Sequence, residues 1–194
     1  MIFPARKLAI VGVLLALATL FLALVTRGAG QQPVPIGGPF NLASSAGGRL
    51  SSKELEGKPF AIFFGFTYCP DICPTTLLEL SNVIKDLGAE ADAMRFLFVS
   101  IDPQRDTPEQ LRKYLSSFDP HITGLTGSEA EIAAVAKAYR AYFAKVPTSD
   151  GYTMNHSAIT YLMGRRGEFV EHIAYQEDNA KQLLKLRKLI GTAN

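Results

Sequence analysis

The chain of 194 residues carries 20 Lys and Arg against 18 Asp and Glu, a formal net charge of +2, so no global field selects nucleic acid or an acidic substrate. About thirty N-terminal residues differ in character from the rest, which leaves roughly 165 for one domain with a real core. Two cysteines are too few for a disulfide scaffold.

From Leu8 to Val25 the run LAIVGVLLALATLFLALV carries no charge. As a helix rising ~1.5 Å per residue it would span about 27 Å, close to the hydrocarbon core of a bilayer. A secretory apolar region is usually shorter, and the following VTRGAGQQ is a poor cleavage site interrupted by Arg27. The run reads as an uncleaved signal anchor, with a cleaved signal peptide as the alternative. Arg6 and Lys7 precede it and Arg27 alone follows closely, a bias that keeps the N terminus in the cytoplasm and exports the globular part. So short a lead-in leaves no Arg- and Ser-rich presequence, which favours a bacterial cytoplasmic (inner) membrane, crossed once, over an organelle. Residues 1–30 are thus expected to be a membrane anchor, 31–39 (QQPVPIGGP) a linker and 40–194 the folded domain.

Phe40 to Leu50, with the Gly47-Gly48 pair, suggests a hairpin or edge strands, and Ser52 to Leu55 a helical turn. Pro59 to Phe66 (PFAIFFGF) is a continuous apolar run, the signature of a strand buried on both faces. After the stretch TYCPDICPTT (Thr67–Thr76), Leu77, Leu78, Leu80, Val83, Ile84 and Leu87 recur at helical spacing until Gly88. Phe96 to Ile101 is a second buried strand. Thr107-Pro108-Glu109-Gln110 combines an N-cap with proline at the first helical position, predicting a helix to about Phe118. Ser128 and Glu131 form a capping box ahead of EIAAVAKAYRAYF, read as helix to Phe143. Ala158–Met163 and Phe169–Ala174 around Gly164–Gly167 form a hairpin signal, and a last helix runs from about Asp178 to Ile190. This order predicts an α/β fold, a thioredoxin-like sandwich preceded by a transmembrane helix. In such a sheet catalysis and ligands gather at the carboxyl ends of the parallel strands, where TYCPDIC falls.

Cys69 and Cys73 would close too small a loop for a structural disulfide to constrain the unfolded chain much. With Asp71 as N-cap, Cys73 falls in the first helical turn, where the dipole favours a thiolate. Their spacing supports both a reversible disulfide and a shared soft metal ion, and by itself does not choose. A peroxidatic cysteine would have Thr or Ser three residues upstream; those positions hold Phe66 and Pro70. Two thiolates with one imidazole suit copper, because sulfur holds Cu(I) and histidine accommodates Cu(II). Of the three histidines, His121 (FDPHITG) and His172 read as solvated. His156, in GYTMNHSAITYL just before a predicted strand, sits where a loop would cross the cysteines, and is the candidate third ligand.

TYCPDICPTT, DPQRDTP (Asp102–Pro108), GLTG (Gly124–Gly127) and MNHSAITYLM, in that order, resemble the SCO/SenC family of membrane-anchored copper proteins, from about Phe40 to Ile190. The resemblance implies a domain that binds one copper ion, Cu(I) or Cu(II), through Cys69, Cys73 and His156. It implies assistance in assembling the copper A centre of cytochrome c oxidase, with the copper A subunit as acceptor and a copper donor protein upstream. Family members deliver copper, reduce the acceptor's cysteines, or do both, so an exported thiol-disulfide oxidoreductase using Cys69 and Cys73 as a redox pair is the alternative. Asp102 is expected either as an outer ligand or acceptor, or as a plain strand-end turn; Tyr68 and Pro70 shape the site; Met154 is read as packing rather than as a thioether ligand.

Overall fold

The longest uninterrupted apolar stretch of the folded part, Phe60–Gly65, becomes strand β3, and all six of its residues are buried. In the computed structural model, which describes residues 14–21 and 35–191, β3 lies inside a seven-stranded mixed sheet ordered β2-β1-β5-β4-β3-β8-β9. The strands are β1 (Asn41–Ser44), β2 (Arg49–Ser51), β4 (Arg95–Ser100), β5 (Ile122–Thr126), β8 (Ile159–Met163) and β9 (Phe169–Ala174). Strands β3, β4 and β5 run parallel; β1 pairs antiparallel with β5, β8 with β3, and β9 with β8. A two-stranded ribbon, β6 (Phe143–Thr148) and β7 (Gly151–His156), stands apart from this sheet.

Both faces of β3 are covered. Phe63 and Gly65 face one side, where Phe63 packs on Phe98 (centroids 6.0 Å apart) and Cys73 of helix α2 (Ile72–Leu87) lies over Gly65. Phe64 faces the other, against Tyr139 at the end of helix α4 (Glu129–Ala138) and Tyr161 of β8. Each such aromatic, fully buried, contributes about 1.5–3 kcal/mol of transfer free energy, so this strand anchors the core. Helix α3 (Pro108–Leu115) packs beside β5, with Leu111 and Leu115 over Gly124, and α5 (Asn179–Gly191) lies against α2. The described residues from Pro35 onward form one compact unit, separate from the unit holding α1 (residues 14–21). Large apolar side chains of α1, Leu14 through Phe21, are exposed. Among the described residues no helix is long and apolar enough to cross a membrane; the rest of the predicted Leu8–Val25 anchor lies outside them.

Three elements depart from the periodicity. Helix α3 ends at Leu115 rather than Phe118. Helix α4 ends at Ala138, because Arg140 takes a left-handed φ of 54° and turns the chain away, so Ala141–Phe143 are not helical as their apolar spacing suggested. Phe143 opens β6, and β6 and β7 pair in register from Phe143–His156 to Thr148–Gly151. Both capping devices hold: Thr107 accepts from Gln110 N–H, and Ser128 and Glu131 cap reciprocally.

Gly65 is required by close approach. A Cβ placed there would lie 2.6 Å from Cys73 Sγ and 2.7 Å from the Phe98 ring. Gly65→Ala is therefore expected to cost about 1–3 kcal/mol by overpacking, read as a lower midpoint in urea unfolding of the reduced protein.

Candidate metal centre

Strand β3 ends at Gly65 and hands the chain to the loop 66–71. There Cys69 N–H bonds Phe66 O at 3.2 Å, and α2 starts at Ile72. Asp71 occupies the N-cap position, but its carboxylate makes no cap bond. The sulfur of Cys69 does that work, accepting the Cys73 N–H at 3.4 Å. Sulfur thus takes one of the donors a helix start leaves without partners. Cys73 follows in the first turn, fully buried against Gly65 and Phe98, while Cys69 stays half-buried.

His156 arrives from the end of β7. Its Nε2 stands 3.4 Å from Cys73 Sγ and 3.9 Å from Cys69 Sγ. Its Nδ1 donates to Ser157 O at 2.9 Å, which leaves the Nε2 lone pair facing the sulfurs. The rings of Phe63 and Phe66 wall the imidazole edge-on, at 6.0 and 5.9 Å. The three donor atoms lie within 4.8 Å of one another. Ligands about 2.0–2.3 Å from a common ion stand roughly 3.5–4 Å apart in a three-coordinate site, so the set is of the right size for one soft ion. Two sulfurs and one imidazole match copper's preferences in both oxidation states.

The charge sits on the other cysteine from the one the helix dipole suggested. Hydrogen bonds from Cys73 lower the Cys69 pKa to about 4, outweighing its partial burial. Burial, then the Cys69 sulfur itself, pushes Cys73 far up. Full burial of Cys73 thus works against the thiolate that its place in the first helical turn favours, and the half-open Cys69 is the sulfur better suited to carry charge.

Asp102 is buried but belongs elsewhere: its carboxylate bonds Arg105 Nε and accepts from the Tyr152 hydroxyl at 2.9 Å. It lies outside the ligand cluster, as an acceptor at the strand end. Asp106, which the sequence reading passed over, is fully buried. It accepts from Thr67 N–H (3.0 Å), Thr67 Oγ1 (2.6 Å) and Ser100 Oγ (2.6 Å), joining the loops after β3 and β4. Its burial raises its pKa despite those bonds. The available signal was the second aspartate of DPQRDTP, directly before the helix cap Thr107. His121 pairs with Asp119 and Asp92 on the surface, and His172 is exposed on β9. Met154 is buried in the ribbon, lining a 340 Å³ cavity with Ile101, Ile132 and Phe143. Tyr68, beside Cys69, is exposed. The segment expected to cross the cysteines as a loop is the strand β7.

The sequence matches the SCO1/SenC family model over residues 28–191. It is 36% identical over 161 residues to a SCO2-like protein of Rickettsia prowazekii, covering 81% of this chain and 78% of that one. The fold superposes on ScoI of Bradyrhizobium japonicum with copper bound, with a TM-score of 0.75, 49% identity, and coverage of 79% of this chain and 99% of that one. It also matches BsSco, described as carrying a disulfide switch and as a member of the Sco family of cytochrome c oxidase assembly proteins. There the TM-score is 0.66 at 26% identity, covering 84% of this chain and 98% of that one.

A thiolate at Cys69 should show in its reactivity. At pH 6 the reduced, metal-free protein is expected to alkylate Cys69 with iodoacetamide as a fully ionised thiol, the rate falling only near pH 4. An ordinary cysteine would be about 300-fold less ionised at pH 6. Peptide mass analysis of the labelled protein checks this, and preferential labelling of Cys73 would contradict it.

Proposed function

The chain belongs to the SCO1/SenC family, and from that membership and the site we infer that it is a copper metallochaperone. It holds one copper ion through Cys69, Cys73 and His156 and assists assembly of the copper A centre of cytochrome c oxidase. The observation that carries this reading is the convergence of two sulfurs and one free imidazole nitrogen within 4.8 Å. The copper-bound state of ScoI and the oxidase-assembly role stated for BsSco's family support it. Copper is cargo here: the sulfurs hold Cu(I), the imidazole extends the site to Cu(II), and the ion passes on to the acceptor. The partners that follow are the copper A subunit as acceptor and a copper donor protein.

The apolar run Leu8–Val25, with exposed apolar side chains on α1, supports anchoring of residues 1–30 in the bacterial inner membrane. Residues 31–39 then serve as linker, and 40–194 as the domain on the outer side.

A second role for the same residues, thiol-disulfide exchange, is favoured by the Cys69 thiolate. Cys69 would attack a partner disulfide and Cys73 resolve the mixed disulfide, leaving this chain oxidised and the partner reduced by two electrons. Closing the pair removes both sulfur ligands, so oxidation and copper holding exclude one another.

Anaerobic titration of the reduced full chain should saturate near one equivalent of copper. Cys69→Ser and Cys73→Ser should each lose Cu(I) binding, while His156→Ala should weaken Cu(II) by about a hundredfold and Cu(I) much less. Unchanged Cu(II) binding in His156→Ala would remove that residue from the site. Thiol exchange that survives His156→Ala but not Cys69→Ser would assign the second role.

A further inference from the structure

The cysteines and the histidine are positioned by different parts of the fold. Cys69 and Cys73 are fixed by β3, α2 and the buried Asp106. His156 is carried by a ribbon whose strands pair only with each other among the described residues. Something other than a strand ladder must fix where the imidazole stands relative to the sulfurs.

We propose that Arg105 is that positioning residue, the cation that clamps the His156 ribbon to the cysteine loop, beside Lys145 of the ribbon itself, which lies 3.6 Å from the Tyr152 ring centre and bonds Gln104. Its guanidinium lies 3.9 Å from the ring centre of Tyr152 on β7 and 4.6 Å from that of Tyr68, the residue before Cys69, with Phe66 at 5.8 Å. Nη1 donates to Tyr152 O at 3.1 Å. Asp102 closes the unit, bonding Arg105 Nε with one carboxylate oxygen and accepting the Tyr152 hydroxyl with the other. Side chains alternate along a strand, so Tyr152, Met154 and His156 share one face of β7. Holding Tyr152 therefore fixes the face that presents the imidazole.

The chemistry calls for arginine. A flat guanidinium can lie beside aromatic rings while its edge bonds a carboxylate and a carbonyl, and an ammonium cannot do all of these together. The clamp touches neither sulfur, so it leaves the two-thiolate part of the site alone. Its effect falls on the ligand that Cu(II) needs more than Cu(I) does.

This inference rests on the copper reading of the site, and the test separates the two. In the full chain, Arg105→Met is expected to lower Cu(II) affinity about tenfold, to shift the sulfur-to-Cu(II) charge-transfer band, and to change Cu(I) affinity by less than about twofold. In the metal-free protein, amide hydrogen exchange across 143–156 should quicken while exchange in β3 and β4 stays as in the native chain. Tyr152→Phe, which keeps the ring and removes the hydroxyl bonds to Asp102 and Gln104, should move both readouts the same way by less, and decides the matter if Arg105→Met does not fold. Equal losses for Cu(I) and Cu(II), with faster exchange throughout the sheet, would reduce Arg105 to a general structural role. Unchanged ribbon exchange would also overturn the proposal. Failure of the native chain to bind copper would sink the copper reading, while ribbon exchange would still decide whether Arg105 is the clamp.

Discussion

One buried carboxylate organises the end of the sheet where the chemistry sits. Asp106 accepts three hydrogen bonds, two from Thr67 and one from Ser100, so the loops after two parallel strands are tied to one side chain. A carboxylate in this interior is costly unless its oxygens are occupied, and removing it would strand the Thr67 amide and two hydroxyls. Thr67 stands two residues before Cys69, and Arg105, which reaches the ribbon, directly precedes Asp106. The placement of all three candidate ligands thus traces back to a group that touches none of them.

The parts of this fold that were legible in the sequence are those whose neighbours repeat or cap. β3 and β4 announced themselves as continuous apolar runs because they are covered on both faces. Helix α2 showed its buried stripe, and Thr107 and Ser128 marked the starts of α3 and α4. The ribbon was missed because its burial is partial: FAKVPT breaks alternation, and in GYTMNH the alternation of Tyr152 and Met154 with Thr153 and Asn155 is too short to stand out. The Tyr139 and Phe143 rings meanwhile continued the spacing of α4. The usable signal was Asp150-Gly151, a hairpin dipeptide that stands one position late, since the turn is Ser149-Asp150 between the paired Thr148 and Gly151.

The site was legible as a set of residues and misread in its electrostatics. The motif gave Cys69, Cys73 and His156, and the structure brings them together. The dipole argument put the negative charge on Cys73 because it counted the helix start and ignored burial, which only the packing against Gly65 and Phe98 reveals. The carbonyl of Ser157, which fixes the imidazole tautomer, carries no sequence signature at all, since any residue there supplies one.

The missing side chain of Gly65 sets the direction from which the site can be approached. By letting Cys73 sink to zero exposure, it leaves Cys69 as the sulfur toward solvent, beside the exposed ring of Tyr68. Any group that approaches the pair from solvent meets the half-open sulfur first and the sealed one second. The two cysteines, alike in the sequence, are thereby ranked as entrance and floor, and traffic through the site acquires an order written in the absence of a methyl group.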